Sequence, residues 1–305
     1  PSSPIARGLR CSRRQAHPRH RPRRLLALPP QGDQPGALVG RAEQFAQVPA
    51  PLQALAPAAH GRDATQAQVG RRRGHQQHLH AGYFRPAAVV DVKTGLDASQ
   101  RIVGWEFHNY NSGASGLAVP YAIANSYCGF HKSDSPLRQG SYRSLAAVAN
   151  TFARESHMDE VAHLTGADAV EYRLRHIEDA RLRHVVEDGA RRFGWNKGRR
   201  GIGVACTTEK DARLALFAEV EEPVRVRRLL LLFDCGAVMN PDNLRNQLTG
   251  ALIQGMGGAL FEAVRHDRRQ VITSKLSRYR LPRMADLPEI EVQLVDRRDV
   301  PAAGA

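Results

Sequence analysis

The stretch from Asp234 to Val264, DCGAVMNPDNLRNQLTGALIQGMGGALFEAV, constrains this chain most. An apolar run, Leu229 to Phe233, reaches Asp234-Cys235-Gly236, turns through Asn240-Pro241-Asp242 and leads into a long predicted helix. Asp242 suits the helix start, where a carboxylate accepts from free backbone N–H groups and offsets the positive end of the dipole. Gly250, Gly255, Gly257 and Gly258 lie inside this helix, each costing about 1 kcal/mol against alanine. A helix built this way needs its backbone close to something: another helix, a sheet, or a bound cofactor. Gln247 and Gln254 stand seven residues apart and project from nearly the same face. Their amides donate and accept hydrogen bonds to a polar ligand without adding charge.

The spacing of the surrounding residues carries a family resemblance. Asn240-Pro241 is followed by Gln247, Gly250-Ala251 and Gln254-Gly255, then by Ser277-Arg278-Tyr279-Arg280, Pro282-Arg283 and Pro288-Glu289-Ile290-Glu291-Val292. This ordered set resembles the C-terminal part of molybdenum hydroxylase large subunits, the xanthine dehydrogenase and aldehyde oxidase family, in its isoquinoline 1-oxidoreductase beta-subunit form. The resemblance covers residues 83–305. It implies an α+β molybdopterin-binding region of a xanthine dehydrogenase-like large subunit, preceded by an irregular basic segment.

Several expectations follow from the resemblance. The chemistry is hydroxylation of an N-heterocycle or aldehyde with oxygen from water. The cofactor is molybdopterin, in its cytosine dinucleotide form, and electrons pass to [2Fe–2S] clusters on a small partner subunit. Gln247 matches a family position that hydrogen-bonds near the metal centre, and Gly250 and Gln254 belong to the same motif. The family's A-F-R-G-like loop, counted back from Met158-Asp159-Glu160, falls on Ser141-Tyr142-Arg143-Ser144, with Ser144 in place of glycine. Thr249 replaces the usual acidic residue of Q-x-E-G-A. The family's catalytic glutamate, a general base, falls beyond Ala305 and has no match here, and its upstream glycine-rich stretch is absent. A general base contributes about 10²–10⁴-fold to rate, so the expectation is an incomplete and inactive fragment.

Net charge sharpens the division of the chain. Residues 1–82 hold thirteen Arg, no Lys and three acidic residues, which is +10 of the net +14. That segment, rich in Arg, Pro, Gln, His and Ala, shows no sustained period of 2 or 3.6 and suits an irregular or disordered extension. It is also the composition of an out-of-frame translation of GC-rich coding sequence. Read functionally, it is a basic arm for nucleic acid, which is the competing class; a non-catalytic structural subunit is a third reading. No apolar run approaches the roughly 18 residues of a membrane span. The basic start has no apolar core behind it and is not a signal peptide, so cytoplasm and periplasm both stay open. Cys11, Cys128, Cys206 and Cys235 form no C-x-x-C pair, which argues against a cluster or zinc site in this chain.

From Arg85 the texture becomes globular. AAVVDVK and RIVGWEFHNYN read as strands joined by a turn at Thr94–Asp97, with Trp105, Phe107 and Tyr110 as sheet packing. NSGASG, residues 111–116, is a loop. Gly140 and Ser141 mark a loop–helix junction whose backbone N–H groups suit an anion, with Arg138 and Arg143 as added donors. The following helix has apolar spacing at Leu145, Val148 and Phe152. Residues 168–194 continue as helices with a buried stripe of Leu174, Ile177, Leu182, Val185 and Val186, while His176 and His184 read as solvated. GIGVACTT, ARLALFAEVEE and VRVRRLLLLFDCG read as three strands, and QVITSKLSRYRLPRM and EIEVQLVD as extended segments.

Overall fold

A computed structural model describes residues 83–134, 138–140, 142–265, 272–273 and 275–303, together with the backbone of 38–45. Ser141 lies outside the described residues, as does 1–82 apart from that short stretch of backbone, and with it the basic-arm reading. The segment expected to be irregular does contribute one strand, β1 (Leu38–Phe45), which pairs antiparallel with β2 (Val89–Leu96).

Two four-stranded sheets share one plan. In the first, β1, β2 and β3 (Ile102–Tyr110) run antiparallel and β4 (Asn125–His131) returns parallel to β3. In the second, β5 (Ile202–Glu209), β6 (Ala212–Glu221) and β7 (Arg225–Asp234) run antiparallel and β8 (Glu289–Val295) returns parallel to β7. Between the sheets come α1 (Ala147–Leu164), α2 (Ala169–Leu174) and α3 (Ala180–Phe193); α4 (Pro241–Leu260) lies between β7 and β8 in sequence. The expected α+β class is therefore observed.

The core explains the strand patterns. Inward residues of the first sheet (Val90, Val92, Trp105, Phe107) pack with α1–α3 (Met158, Val161, Leu182, Val185) and with one face of the second sheet (Val204, Phe217, Leu230, Leu232). The opposite face of that sheet, through Leu231 and Phe233, packs on Leu244, Leu248 and Leu252 of α4. A strand covered on both faces must be apolar at successive positions, and this accounts for the continuous run Leu229–Phe233. Gly189 of α3 lies so close to the Phe217 ring that a Cβ there would overlap it.

One buried polar hub ties α1, α2 and the second sheet together. Glu155 accepts from Arg173 at 2.9 Å, Arg154 at 3.2 Å, Tyr121 at 2.9 Å and the Cys206 backbone N–H at 3.1 Å. Burial alone would raise its pKa, but the Arg173 and Arg154 guanidiniums hold it below the usual glutamate value. Burial and the Glu155 carboxylate push the Cys206 thiol up to about 12, which makes it inert rather than nucleophilic.

Several sequence expectations are corrected. The β2–β3 turn is Asp97–Arg101, held by the Asp97 carboxylate on the N–H groups of Ser99 and Arg101, because Thr94 and Leu96 are still paired strand residues. Leu145, Val148 and Phe152 are exposed; the packed face of α1 is instead Ala153, Met158 and Val161 with the polar hub, so helical spacing alone picked the wrong side. His176 is buried, not solvated: its Nδ1–H donates to the Tyr172 carbonyl at 2.9 Å and its Nε2 accepts from the Ile102 N–H at 3.0 Å. Tyr110 is exposed on the outer sheet face, and the segment before β8 forms two short 3₁₀ turns, Leu276–Arg278 and Met284–Asp286. At α4 the cap is Asn240, whose side chain accepts from the Asn243 N–H at 3.0 Å, while Asp242 sits in the first turn.

Candidate functional site

The launch point of α4 is fixed from three directions. Asp234, at the end of β7 and fully buried, takes a two-pronged ion pair from Arg181 of α3 at 2.5 and 2.9 Å. Its carboxylate also accepts from the Gly236 N–H at 3.0 Å. Gly236 has φ +75° and faces the Pro301 carbonyl, so no side chain fits there. Hydrogen bonds from Ala237 to Val300 and from Ala303 to Cys235 close the turn against the chain beyond β8.

With Leu244, Leu248 and Leu252 against the sheet, the neighbouring face of α4 carries Gln247, Gly250, Gln254, Gly257 and Gly258. Gln247 is exposed, and Gly250 and Gln254 are half-buried. Arg143 reaches across from the turn before α1: its Nη2 donates to the Gln247 carbonyl at 2.8 Å and to Gln247 Oε1 at 3.2 Å. The nearest atom to a Cβ on Gly250 would be Arg143 Nη1 at 3.6 Å, and on Gly258 it would be Arg85 Nη1, also at 3.6 Å. Gly255 has nothing within 4 Å of that position, whereas Gly257 is closed by Pro282 and Glu262. Protein packing therefore requires only one of the four glycines.

Tyr142 and Arg85 complete the rim. The Arg85 guanidinium lies 4.2 Å over the Tyr142 ring, and the segment carrying Arg85 is tied to the 138–140 chain by Phe84 N–H to Arg138 at 2.9 Å and Gly140 N–H to Phe84 at 3.1 Å. Tyr279 donates to Glu262 at 2.9 Å, and burial with that carboxylate pushes its phenol well above the usual value. Three motif-bearing segments, 83–86, 142–143 and 279–282, thus meet on one face of a helix. The arrangement brings together Tyr142, Arg143, Gln247 and Gly250, with Gln254 further along the same face; Ser141 is not described.

Arg85, Tyr279 and Pro282 belong to the site's rim and were not singled out as site residues from the sequence. Their motifs, YFRP and Y-R-x-P, were the available signal. Ser144 has φ +66° and Leu145 φ +50°, a left-handed pair that glycine adopts without strain. That is the conformation expected where the resemblance places a glycine. A separate cleft of about 460 Å³ near Trp195 and Asp168 is lined by none of these residues. The Asp168 carboxylate in it is already occupied by the Trp195 indole N–H and the start of α2.

The face fits a phosphate-bearing, polar ligand. Two guanidiniums suit anionic oxygens, two amides offer neutral hydrogen bonds, and the glycines leave backbone open where a side chain would stand. Residues 215–288 match the family model described as a molybdopterin cofactor-binding domain. The chain is 29% identical over 197 residues to one of the subunits of the nicotinate dehydrogenase of Pseudomonas putida, covering 56% of this chain and 17% of that one. It is 33% identical over 166 residues to the beta chain of the isoquinoline 1-oxidoreductase of Brevundimonas diminuta, covering 50% and 21%. Among solved structures, the aldehyde oxidoreductase of Desulfovibrio desulfuricans superposes with a TM-score of 0.64 at 15% identity, covering 76% of this chain and 46% of that chain.

Fold and sequence together define a protein with a molybdopterin cofactor-binding domain. More narrowly, the chain is similar to subunits of molybdenum hydroxylases of the xanthine dehydrogenase and aldehyde oxidase family, and its fold resembles that of an aldehyde oxidoreductase. It spans about a fifth of the length of the curated relatives named here. Among the described residues, no helix is long and apolar enough to cross a membrane.

Proposed function

We propose that this chain is the cofactor-holding part of an oxidoreductase that hydroxylates N-heterocycles or aldehydes with oxygen derived from water. The observation that carries this reading is the open glycine face of α4, rimmed by Arg143 and Arg85 from distant parts of the chain. Molybdopterin, in the cytosine dinucleotide form, supplies two-electron oxidation when bound. Arg143 and Arg85 hold phosphate oxygens, Gln247 and Gln254 orient the polar ring system through their amides, and Gly250 admits it close to the backbone. Tyr142 keeps Arg85 in place by stacking, and Ser141 belongs to the same turn. A small partner subunit carrying [2Fe–2S] clusters would accept the electrons, a reading supported by the dispersed cysteines of this chain and by relatives that are themselves named as subunits. The domain division proposed is 1–82 as a separate basic segment and 83–305 as the cofactor-binding region. Nucleic-acid binding is not favoured, since the relatives are oxidoreductases.

The test is to express the full chain in a host that makes the cofactor, then measure molybdenum by mass spectrometry and CMP released on acid denaturation. Near-stoichiometric molybdenum and CMP are expected, with at least a tenfold loss in Arg143→Ala and a smaller loss in Gln254→Ala. Absence of both from the wild-type chain, or equal loading in Arg143→Ala, overturns the assignment.

A further inference from the structure

The outer face of the first sheet carries a polar cluster that the cofactor site does not use. On β3 the inward residues are Trp105 and Phe107, so Glu106, His108 and Tyr110 point outward. The parallel register places them beside Tyr127, Gly129 and His131 of β4. His108 Nδ1 stands 2.8 Å from His131 Nε2, and His108 Nε2 stands 2.7 Å from Glu106 Oε1. A carboxylate can only accept, so Glu106 takes the Nε2–H of His108. The lone pair of His108 is thereby directed from Nδ1 towards His131. A carboxylate on the far nitrogen of an imidazole is the usual way a protein fixes the tautomer of a metal-ligating histidine and raises its basicity.

We propose that His108 and His131 form a two-imidazole site for a divalent late transition ion, Cu²⁺ ahead of Ni²⁺ or Zn²⁺, with Glu106 orienting His108. Affinity order among divalent ions places Cu²⁺ first, and the two ring nitrogens, now 2.8 Å apart across a hydrogen bond, are close enough for one ion to take both. The ring centres are 5.0 Å apart, so the rings now meet head-on through a shared hydrogen. Binding turns both lone pairs towards the ion, and His131 carries its hydrogen on Nδ1 instead of Nε2, so the neutral pair releases no net proton. Both rings are only partly buried, which leaves a way in.

The surroundings supply the rest of the set. The Tyr127 phenol rests over Gly129, the cross-strand neighbour of His108, with its ring centre 5.3 Å from that of His108. It offers an oxygen donor that water can complement. Tyr110 stacks on His131 at 4.7 Å and limits its swing. Lys93 lies 3.4 Å from Glu106 and shares that carboxylate. Among the described residues no group of three His, Cys, Asp or Glu converges, so the site is an exchangeable two-histidine one and not a closed structural centre.

The proposal is tested by titrating Cu²⁺ into the full chain at pH 7.5, read by calorimetry and by electron paramagnetic resonance. Six further histidines lie in residues 1–82, so the reading is the difference between wild-type and variants. His108→Ala and His131→Ala are each expected to remove the same single Cu²⁺ equivalent and the two-imidazole nitrogen signature, and the double variant no more than either. Glu106→Gln is expected to weaken that equivalent roughly tenfold or more. His131→Gln, which retains a donor towards His108, serves if the alanine variant does not fold. Equal stoichiometry and spectra in wild-type and double variant overturn the site, and unchanged affinity in Glu106→Gln overturns the role given to the carboxylate.

Discussion

Ser144 shows how much a single backbone angle reveals. Its φ of +66° belongs to a region that disfavours L side chains by roughly 1–2 kcal/mol. The side chain there is serine, exposed, at the position where the family resemblance expects glycine. Ser144→Gly is therefore expected to raise stability by about 1 kcal/mol in chemical denaturation, since relief of strain exceeds the entropic penalty of a new glycine in the unfolded state. A lower denaturation midpoint would show that the left-handed turn is not strained. The same residue scale exposes where sequence reasoning ran out. His176 lies among Arg and Glu and looks solvated in one dimension, yet its two ring nitrogens are both spent on backbone groups of a neighbouring turn and strand.

At the scale of elements, α4 separates two meanings of glycine. Gly257 faces Pro282 and Glu262, and Gly255 faces nothing within 4 Å. Gly257→Ala is expected to destabilise by about 1–3 kcal/mol, because the proline ring cannot turn aside as a flexible side chain would. Gly255→Ala is expected to stabilise the cofactor-free chain by up to about 1 kcal/mol through helix propensity. Thermal melts of the two variants check the contrast, and equal shifts would refute it. The existence and order of β2, β3 and β5–β8 were legible in the sequence, as were the helices of 168–194. Alternation and the double-sided apolar run of β7 are local signals. The orientation of α1 was not legible: Leu145, Val148 and Phe152 are a regular stripe, but the loops that pack on the helix select the polar side.

Across the whole molecule the Glu155 hub and two buried histidines couple stability to pH. Burial lowers the pKa of His157 and of His176 below 6.5. The unfolded chain therefore binds those protons first, and the stability present above pH 6.5 is lost as pH falls through their folded values. Glu155 is likewise held low, so its contribution, present above about 4.5, is lost at still lower pH. Stability is expected to fall in two stages on acidification. Glu155→Gln is expected to cost about 3–5 kcal/mol at neutral pH by leaving Arg154 and Arg173 without their carboxylate. Denaturation curves from about pH 2 to 8 test this, and a flat profile between about pH 5 and 7 would refute the histidine stage.

The sequence alone determined most of the element types, the family resemblance and most of the motif residues, because those depend on periodicity, turn chemistry and ordered spacing along the chain. Tertiary structure decided which of those residues share a surface. Arg85, Arg143 and Tyr279 are far apart in sequence and meet only because a strand covered on both faces aims α4 past the turn before α1. Proximity of that kind arises from packing between layers, and no local pattern encodes it.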